Sequence, residues 1–320
     1  MAQTKAVGAP RAAKPKLRRG SLLWRIVEHK YLYLMLLPGV VSVFLFCYVP
    51  MSGLILAFKE LKFNASIYSG PWAGLTYFKA FFNDPFAKQL LINTVGISAC
   101  KIFLAFPFPI ILALMLNEVR NARYKKVTQT ISYLPHFVAW VVVAAIIERV
   151  FAPNTGLINQ LRGAFGADPS YFFMMEKDFF YPVMFISYLW KTMGWSSIIF
   201  LAAISGIDPG YYEAAKIDGA NKWDEITKIT LPCIKPTIGL IFIMSLGDIL
   251  KAGFEQIYLL RTAGNMVYAD ILDTFVIRAG LEQGNFSYAT AVGMLQGVAG
   301  LVLVVIANWL SRKYTEVALW

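Results

Sequence analysis

The sequence has few of the residues that build disulfide frameworks or metal sites. Its 320 residues include 3 cysteines and 2 histidines. Cys47, Cys100 and Cys233 are far apart and lack the spacing of metal ligands, so we expect packed thiols. His136 follows Pro135, and the other histidine, His29, lies in the N-terminal tail. We therefore expect His136 to have a packing role, and we expect no metal site.

Catalytic motifs are also missing from the sequence. It contains no G-x-x-x-x-G-K-[ST] phosphate-binding loop, no H-E-x-x-H and no G-x-S-x-G. Without the phosphate-binding loop, the chain is not expected to hydrolyse ATP by the usual route. We expect a protein that is not an enzyme and holds no cofactor, so any ATP-driven work needs a separate ATPase chain.

Long apolar runs dominate what is present. Apolar residues make up 58% of the chain and the mean hydropathy is +0.56, whereas a soluble domain has roughly 45–50% apolar residues. The first run, Tyr31–Phe58, exceeds the roughly 20 residues that cross a bilayer and predicts an uncleaved span. Five further spans are predicted at Leu90–Asn117, Thr130–Phe151, Phe179–Ser205, Thr237–Leu260 and Tyr288–Leu310. The expected fold is an all-α polytopic membrane protein with six transmembrane helices.

The basic residues predict the orientation of these spans. One set of segments outside the spans carries 18 lysines and arginines: the tail 1–30, the connectors 118–129 and 206–236, and the end 311–320. The opposite connectors, 59–89, 152–178 and 261–287, carry 8. Because positive residues favour the cytoplasmic side, both termini are predicted to be cytoplasmic. The net charge of +11 is therefore explained by the membrane topology and by contact with membrane lipid. It does not indicate nucleic-acid binding.

A polar segment, Glu213–Pro232, interrupts the apolar second half of the chain. Asp208 followed by Pro209 predicts the start of a helix, and Gly219 predicts its left-handed end. Asn221 is expected to cap a second short helix that Pro232 and Pro236 stop. The predicted shape is helix, glycine turn, helix, which suits a projection presented to another protein. The alternative is an ordinary polar loop between membrane helices.

This segment resembles the EAA loop of ABC importer permeases. The resemblance rests on Glu213-Ala214-Ala215, Gly219, Ile229 and Leu231-Pro232. One departure is Ile226, where the sugar-type branch often has Phe. The resemblance implies that the loop docks on the ATPase, with Glu213 in a polar contact and Gly219 at the turn. The residues that it implies for ATPase coupling are Glu213, Ala214, Ala215, Asp218, Gly219 and Ala220.

Other stretches extend the resemblance over roughly residues 30–312. These stretches are similar to permeases of oligo- and polysaccharide ABC importers, and within that branch to the first permease of bacterial alginate importers. They are Asn117-Glu118-Val119-Arg120, Tyr133-Leu134-Pro135-His136-Phe137, Ala252–Ile257 and Phe286–Gly293. The family implies a type I importer fold in the bacterial inner membrane. It also implies a second permease, two copies of an ABC ATPase that binds ATP and Mg, and an extracytoplasmic solute-binding protein that delivers a saccharide.

Polar residues inside the spans mark a candidate substrate pathway. Ionisable residues there include Lys101 and Glu148, and such groups should face partners or water. The fifth span is predicted to carry a polar stripe along one face, beside Phe254. Its residues are Asp248, Lys251, Glu255 and Tyr258. The alternative is that Asp248 and Lys251 neutralise each other. In the fourth span, the aromatic and polar mixture suits sugar rings, although plain packing is the alternative; its members are Tyr188, Trp190, Lys191 and Trp195.

Three other functions stay open at this point. An ABC permease for peptides or amino acids is the nearest competitor. A secondary transporter driven by an ion gradient would show paired interrupted spans in repeated halves, and the sequence has no clear internal repeat. A membrane scaffold that only recruits partners would not need buried polar residues.

Overall fold

The computed structural model describes residues 28–61 and 66–315. Within those ranges the chain is almost entirely helical, without strands and with one isolated antiparallel bridge, between Lys59 and Trp72. This confirms the all-α class. Most of the predicted tail 1–30 and the last five residues of the predicted end 311–320 lie outside the described residues. The chain divides into two compact units, Met1–Leu54 and Ile55–Trp320.

The first unit contains most of helix α1, Lys30–Phe58. This helix has 29 residues and is long and apolar enough to cross a membrane. The side chains of residues 28–54 are exposed or half-buried. The predicted first span, Tyr31–Phe58, therefore agrees with the observed helix to within one residue.

The second unit contains the remaining helices. In chain order they are α2 Thr76–Asn83, α3 Ala87–Glu118, α4 Ala122–Phe137, α5 Trp140–Phe151, α6 Leu157–Ala164, α7 Lys177–Ser205, α8 Pro209–Ile217, α9 Lys222–Gly247, α10 Phe254–Leu260, α11 Met266–Ala269, α12 Leu272–Ile277 and α13 Phe286–Thr315.

The predicted count of six spans is only partly matched. In the described part of the chain, four helices are long and apolar enough to cross a membrane: α1, α3, α9 and α13. The bent pair α4 and α5 raises this to five if it forms one span. Helix α7 has 29 residues but is not among the candidates. Its Phe180 and Met184 belong to one apolar core and its Phe200 and Ile204 to another, so much of α7 faces protein rather than lipid.

The predicted third span, Thr130–Phe151, corresponds to two helices rather than one. Helices α4 and α5 meet at 91°. A tight turn at Leu134–Phe137, which contains Pro135, ends α4, and Ala139 is extended before α5 begins. Proline removes a backbone donor and favours such a break. We call this bend the elbow.

Helix α7 holds the elbow through buried contacts. The Lys191 ammonium donates hydrogen bonds to the carbonyl oxygens of His136, at 2.8 Å, and Val138. The Trp195 ring stacks on His136 with 4.5 Å between ring centres. Gly194 lies directly against the backbone of Ser132. The carbonyl groups freed by the bend are thus satisfied by a cation from a neighbouring helix, as buried backbone requires.

The predicted fifth span, Thr237–Leu260, is also interrupted. Helix α9 ends at Gly247, and α10 begins at Phe254 after two left-handed residues, Ala252 with φ 48° and Gly253 with φ 79°. Left-handed backbone is unfavourable for alanine, so the turn needs support from its surroundings. The Lys101 ammonium donates to the Ala252 carbonyl oxygen at 2.8 Å. Because Asp248–Gly253 is not helical, the predicted single polar face of Asp248, Lys251, Glu255 and Tyr258 does not exist.

The prolines of α9 do not stop the helix, contrary to the sequence prediction. The helix runs on through a wide turn at Glu225–Thr230, where the Leu231 N–H bonds to the Ile226 carbonyl five residues back. Pro232 follows that wide turn at once, and Pro236 lies inside the helix. Wide turns of this kind change the hydrogen-bond pattern locally, so a proline without an N–H is tolerated there. The second helix of the polar segment is therefore the first part of a long helix.

Candidate functional site

The polar segment folds locally as its sequence predicts. Helix α8 begins after Asp208, whose carboxylate accepts a hydrogen bond from the Gly210 N–H at 2.9 Å. Gly219 is left-handed, with φ 81°. The Asn221 side chain accepts hydrogen bonds from the Trp223 and Asp224 N–H groups at 2.9 and 3.0 Å, which caps α9. Helix, glycine turn and helix cap are thus all confirmed.

The predicted coupling residues lie on an accessible surface. Helix α8 buries no residue. Glu213, Ala214, Asp218 and Gly219 are exposed, while Ala215 and Ala220 are half-buried. Large apolar side chains stand beside them, since Ile217 is 86% exposed and Trp223 71%. Exposed apolar and polar groups in one compact projection are typical of a surface that binds another protein.

A central cavity of about 350 Å³ lies between α3, α7 and the break after α9. Three of the predicted pathway residues line it: Tyr188, Asp248 and Lys251. Hydroxyl groups complete its polar lining, contributed by Ser98, Thr192, Ser196 and Ser245. We call this space the central cavity. Its mixture of hydroxyls, an aromatic face and charges provides the groups that bind carbohydrate.

The residue that the sequence reasoning missed is Lys101. The sequence shows it as an ionisable residue inside a predicted span, but it is not among the residues predicted to contact the substrate. Its side chain is 7% exposed and lines the central cavity from α3, with its ammonium 4.7 Å from the centre of the Tyr188 ring. A lone lysine in a long apolar run was the signal that could have found it, because such a charge needs a nearby partner.

Asp248 and Lys251 form an ion pair of 2.7 Å within the interrupted segment. This agrees with the alternative that they neutralise each other. Both also line a second, larger groove of about 1050 Å³ together with Phe254, between α9, α12 and α13. The pair therefore stands between the two spaces, and Lys101 is the cation in the central cavity that is not offset by an adjacent carboxylate.

The other predicted pathway residues line neither space. Lys191 and Trp195 hold the elbow. Trp190 is half-exposed beside an apolar pocket of about 320 Å³ between α5 and α7. The Tyr258 ring is tilted against the Phe254 ring with 5.2 Å between ring centres, and Glu255 is exposed on α10.

The described residues contain no group of three or more His, Cys, Asp or Glu side chains that could hold a metal ion. The arrangement suits binding of a polar molecule in the central cavity and binding of another protein at α8. It has no nucleophile paired with a base in the cavity.

Comparison with known proteins decides the family. The family model described as binding-protein-dependent transport system inner membrane component matches residues 105–316, well over half of the sequence. The chain belongs to this family.

Two named relatives are similar in sequence to this chain over nearly its full length. The polygalacturonan/rhamnogalacturonan transport system permease protein YteP of Bacillus subtilis is 44% identical over 315 residues, covering 98% of this chain and 97% of the relative. Protein LplB of the same organism is 41% identical, covering 91% of each chain.

Two solved structures are also similar to this chain in fold and in sequence. A crystal structure of a bacterial ABC transporter involved in the import of the acidic polysaccharide alginate has a TM-score of 0.83 and 40% identity, covering 92% of this chain and 100% of that one. A second structure, of the alginate transporter in complex with an alginate pentasaccharide-bound periplasmic protein, has a TM-score of 0.83 and 38% identity, covering 93% and 99%.

These findings confirm that the permease is the inner-membrane component of an ABC importer of the saccharide type, with a type I permease fold. It is a transport component rather than an enzyme. The two interrupted helices, at the elbow and at Asp248–Gly253, are a feature that sequence reasoning associates with secondary transporters. The family match favours the ABC importer over the ion-gradient alternative.

Proposed function

We propose that the permease imports an acidic oligosaccharide, one that contains uronate units, through the central cavity. The observation that carries this proposal is the position of Lys101, a buried cation in a cavity otherwise lined by hydroxyls and an aromatic ring. The named relatives support it, because one is a polygalacturonan/rhamnogalacturonan permease and one solved structure is an importer of an acidic polysaccharide.

The chemistry of the cavity fits a sugar carboxylate. An ammonium group has three donors, and Lys101 uses one on the Ala252 carbonyl. Its remaining donors can bind a carboxylate, and charge-assisted hydrogen bonds are the stronger kind. The Tyr188 face offers a stacking surface for the C–H side of a sugar ring, and Thr192 and Ser196 offer hydroxyls on the same helix. Because Asp248 and Lys251 pair with each other, Lys101 is the basic group of the lining that is left for a substrate carboxylate.

The partners in this proposal are a second permease, two copies of an ABC ATPase that binds ATP and Mg, and an extracytoplasmic solute-binding protein. Both termini and the loop 206–236 are cytoplasmic. The binding protein delivers the saccharide to the outer face. ATP binding closes the ATPases, α8 moves with them, and the spans change between inward- and outward-open states. Such a change requires contacts that differ between the two states.

The test is ATP hydrolysis by the purified importer in lipid, with the binding protein loaded by one compound at a time. The panel is an oligogalacturonate, its methyl ester, a neutral oligosaccharide of equal length and an oligopeptide. We expect stimulation by the oligogalacturonate and little by its ester, which has the same size without the charge. Equal stimulation by acid and ester contradicts the uronate proposal, and stimulation by the peptide alone supports the peptide alternative.

The coupling loop gives a second prediction. Glu213→Ala removes the exposed carboxylate proposed to contact the ATPase. A Cβ atom added at Gly219 meets no heavy atom within 4 Å, but Gly219→Asp places a side chain on a residue with φ 81°. Since left-handed backbone costs a non-glycine residue about 1–2 kcal/mol, the fold survives while the turn is strained.

We expect both variants to assemble with normal thermal stability and to hydrolyse ATP without saccharide uptake. The measurement is uptake into vesicles alongside ATP hydrolysis. Gly284→Asp is the matched control, because Gly284 is also left-handed, with φ 72°, and open, but lies in the connector between α12 and α13. Normal uptake in Glu213→Ala and Gly219→Asp contradicts the coupling role.

A further inference from the structure

One lysine joins the coupling loop to a transmembrane helix. The Lys222 ammonium lies 2.6 Å from a carboxylate oxygen of Glu225 and 3.1 Å from one of Glu118. Lys222 and Glu225 belong to the first turns of α9, whereas Glu118 is the last residue of α3. We call these three residues the bridge. The bridge is an ion-pair link between α3 and the coupling loop.

The helix dipoles do not explain these charges. A helix has partial positive charge at its N-terminus and partial negative charge at its C-terminus, so a cation at the start or an anion at the end is unfavourable. Lys222 is the first residue of α9 and Glu118 the last of α3. Each charge thus stands at the wrong end of its own helix. The ion pair between them offsets both placements, and Glu225 adds a second carboxylate beside Lys222.

Burial adds to the argument. The Glu225 side chain is 6% exposed, and the cation that pairs with its carboxylate is Lys222. A buried carboxylate needs a paired partner. The bridge also lines a cavity of about 330 Å³ that is shared with Glu213 and Tyr212 of α8. It therefore lies directly behind the surface that carries the proposed coupling residues.

Helix α3 leads from the bridge to the central cavity. Glu118 is 17 residues from Lys101 on the same helix, a distance of about 25 Å at 1.5 Å per residue. A displacement of the loop that is transmitted through the bridge therefore moves the helix that carries the cavity's cation. Without the bridge, α3 loses its ion-pair link to the loop.

We infer that the bridge transmits the movement of the coupling loop to α3, and that Glu118, Lys222 and Glu225 are positioning residues for transport. This inference rests on the proposed function, since it requires an ATPase at α8. It goes beyond that proposal by naming the helix that receives the movement and the contact that delivers it.

The test compares variants of the complete importer in lipid vesicles. Glu118→Gln opens only the link to α3 and leaves Lys222 paired with Glu225, whereas Lys222→Met opens both contacts. Lys228→Met is the matched control, because Lys228 also lies in α9 and pairs with Asp224 at 2.6 Å, but within the one helix. The readouts are saccharide molecules imported per ATP hydrolysed and co-purification of the ATPase.

We expect the import ratio to fall about tenfold in Glu118→Gln and Lys222→Met, which is within the usual range of coupling between sites. Lys228→Met is expected to keep the wild-type ratio, and all three are expected to retain the ATPase. A wild-type ratio in Glu118→Gln, or an equal fall in Lys228→Met, overturns the inference. Failure of the proposed function instead shows in the wild-type importer, which then neither retains an ATPase nor imports a saccharide.

Discussion

Gly194→Ala is expected to cause a large loss of folded permease. An added methyl group at this position lies 1.9 Å from the Ser132 carbonyl oxygen and 2.4 Å from its carbon. These neighbours are backbone atoms of α4, so they cannot move aside by rotating a side chain. Overpacking of this kind costs about 1–3 kcal/mol and occasionally more. The midpoint of thermal aggregation in detergent is the measurement, and we expect it to fall.

Gly96→Ala is the matched control for that experiment. Gly96 lies inside α3, and an added methyl group there meets no heavy atom within 4 Å. Alanine in a helix interior is favoured over glycine by about 0.5–1 kcal/mol, so this variant should keep or raise the midpoint. If Gly194→Ala melts like wild type, the close approach of α7 to the elbow is not present in the folded protein.

Lys101→Met is expected to lower uptake of an oligogalacturonate by about tenfold or more. The substitution removes the cation from the central cavity and leaves the Ala252 carbonyl without its donor. A hydrogen bond to a charged group contributes about 1.5–3 kcal/mol, and each 1.4 kcal/mol is a factor of ten in affinity. The measurement is uptake of labelled oligogalacturonate by vesicles that contain the importer.

Two comparisons separate recognition of the substrate from support of the fold. Lys88→Met removes an exposed lysine from the first turn of the same helix and should leave uptake unchanged. The methyl ester, offered to the Lys101→Met importer at high concentration, tests the charge directly. Recognition of a carboxylate predicts that acid and ester are imported at similar low rates by the variant. If the variant still prefers the acid as strongly as wild type does, Lys101 is not the residue that selects it.

The sequence predicted local features of the coupling loop because their causes are local. Asp208 and Asn221 cap helices by bonding to N–H groups two or three residues away. Gly219 adopts a left-handed turn that other residues adopt at a cost. Each of these residues lies within a few positions of the helix end or turn that it determines. The local sequence pattern therefore suffices to predict it. The predicted stop at Pro232 and Pro236 was wrong because the helix continues through the wide turn just before Pro232.

The elbow and the central cavity could not be predicted in the same way. Lys191 reaches carbonyl groups 53 and 55 residues away, and Lys101 reaches one 151 residues away. Hydropathy extended the third span through the elbow, because Phe137, Val138 and Ala139 are apolar. Averaged over a longer window, it also extended the fifth span through Asp248–Gly253, although Asp248 and Lys251 lie there. The same reasoning assigned Lys191 to the substrate pathway, since the sequence does not show that its charge is used on the elbow.

The long separation between Lys101 and Ala252 has a consequence for biogenesis. Lys101 enters the bilayer with α3, and the carbonyl that it binds is synthesised 151 residues later. A lysine at the centre of an inserting helix costs about 2.5–3.5 kcal/mol, and during synthesis the Ala252 carbonyl cannot offset this cost until residue 252 has been made. A chain that ends before Ala252 therefore keeps Lys101 without this hydrogen-bond partner.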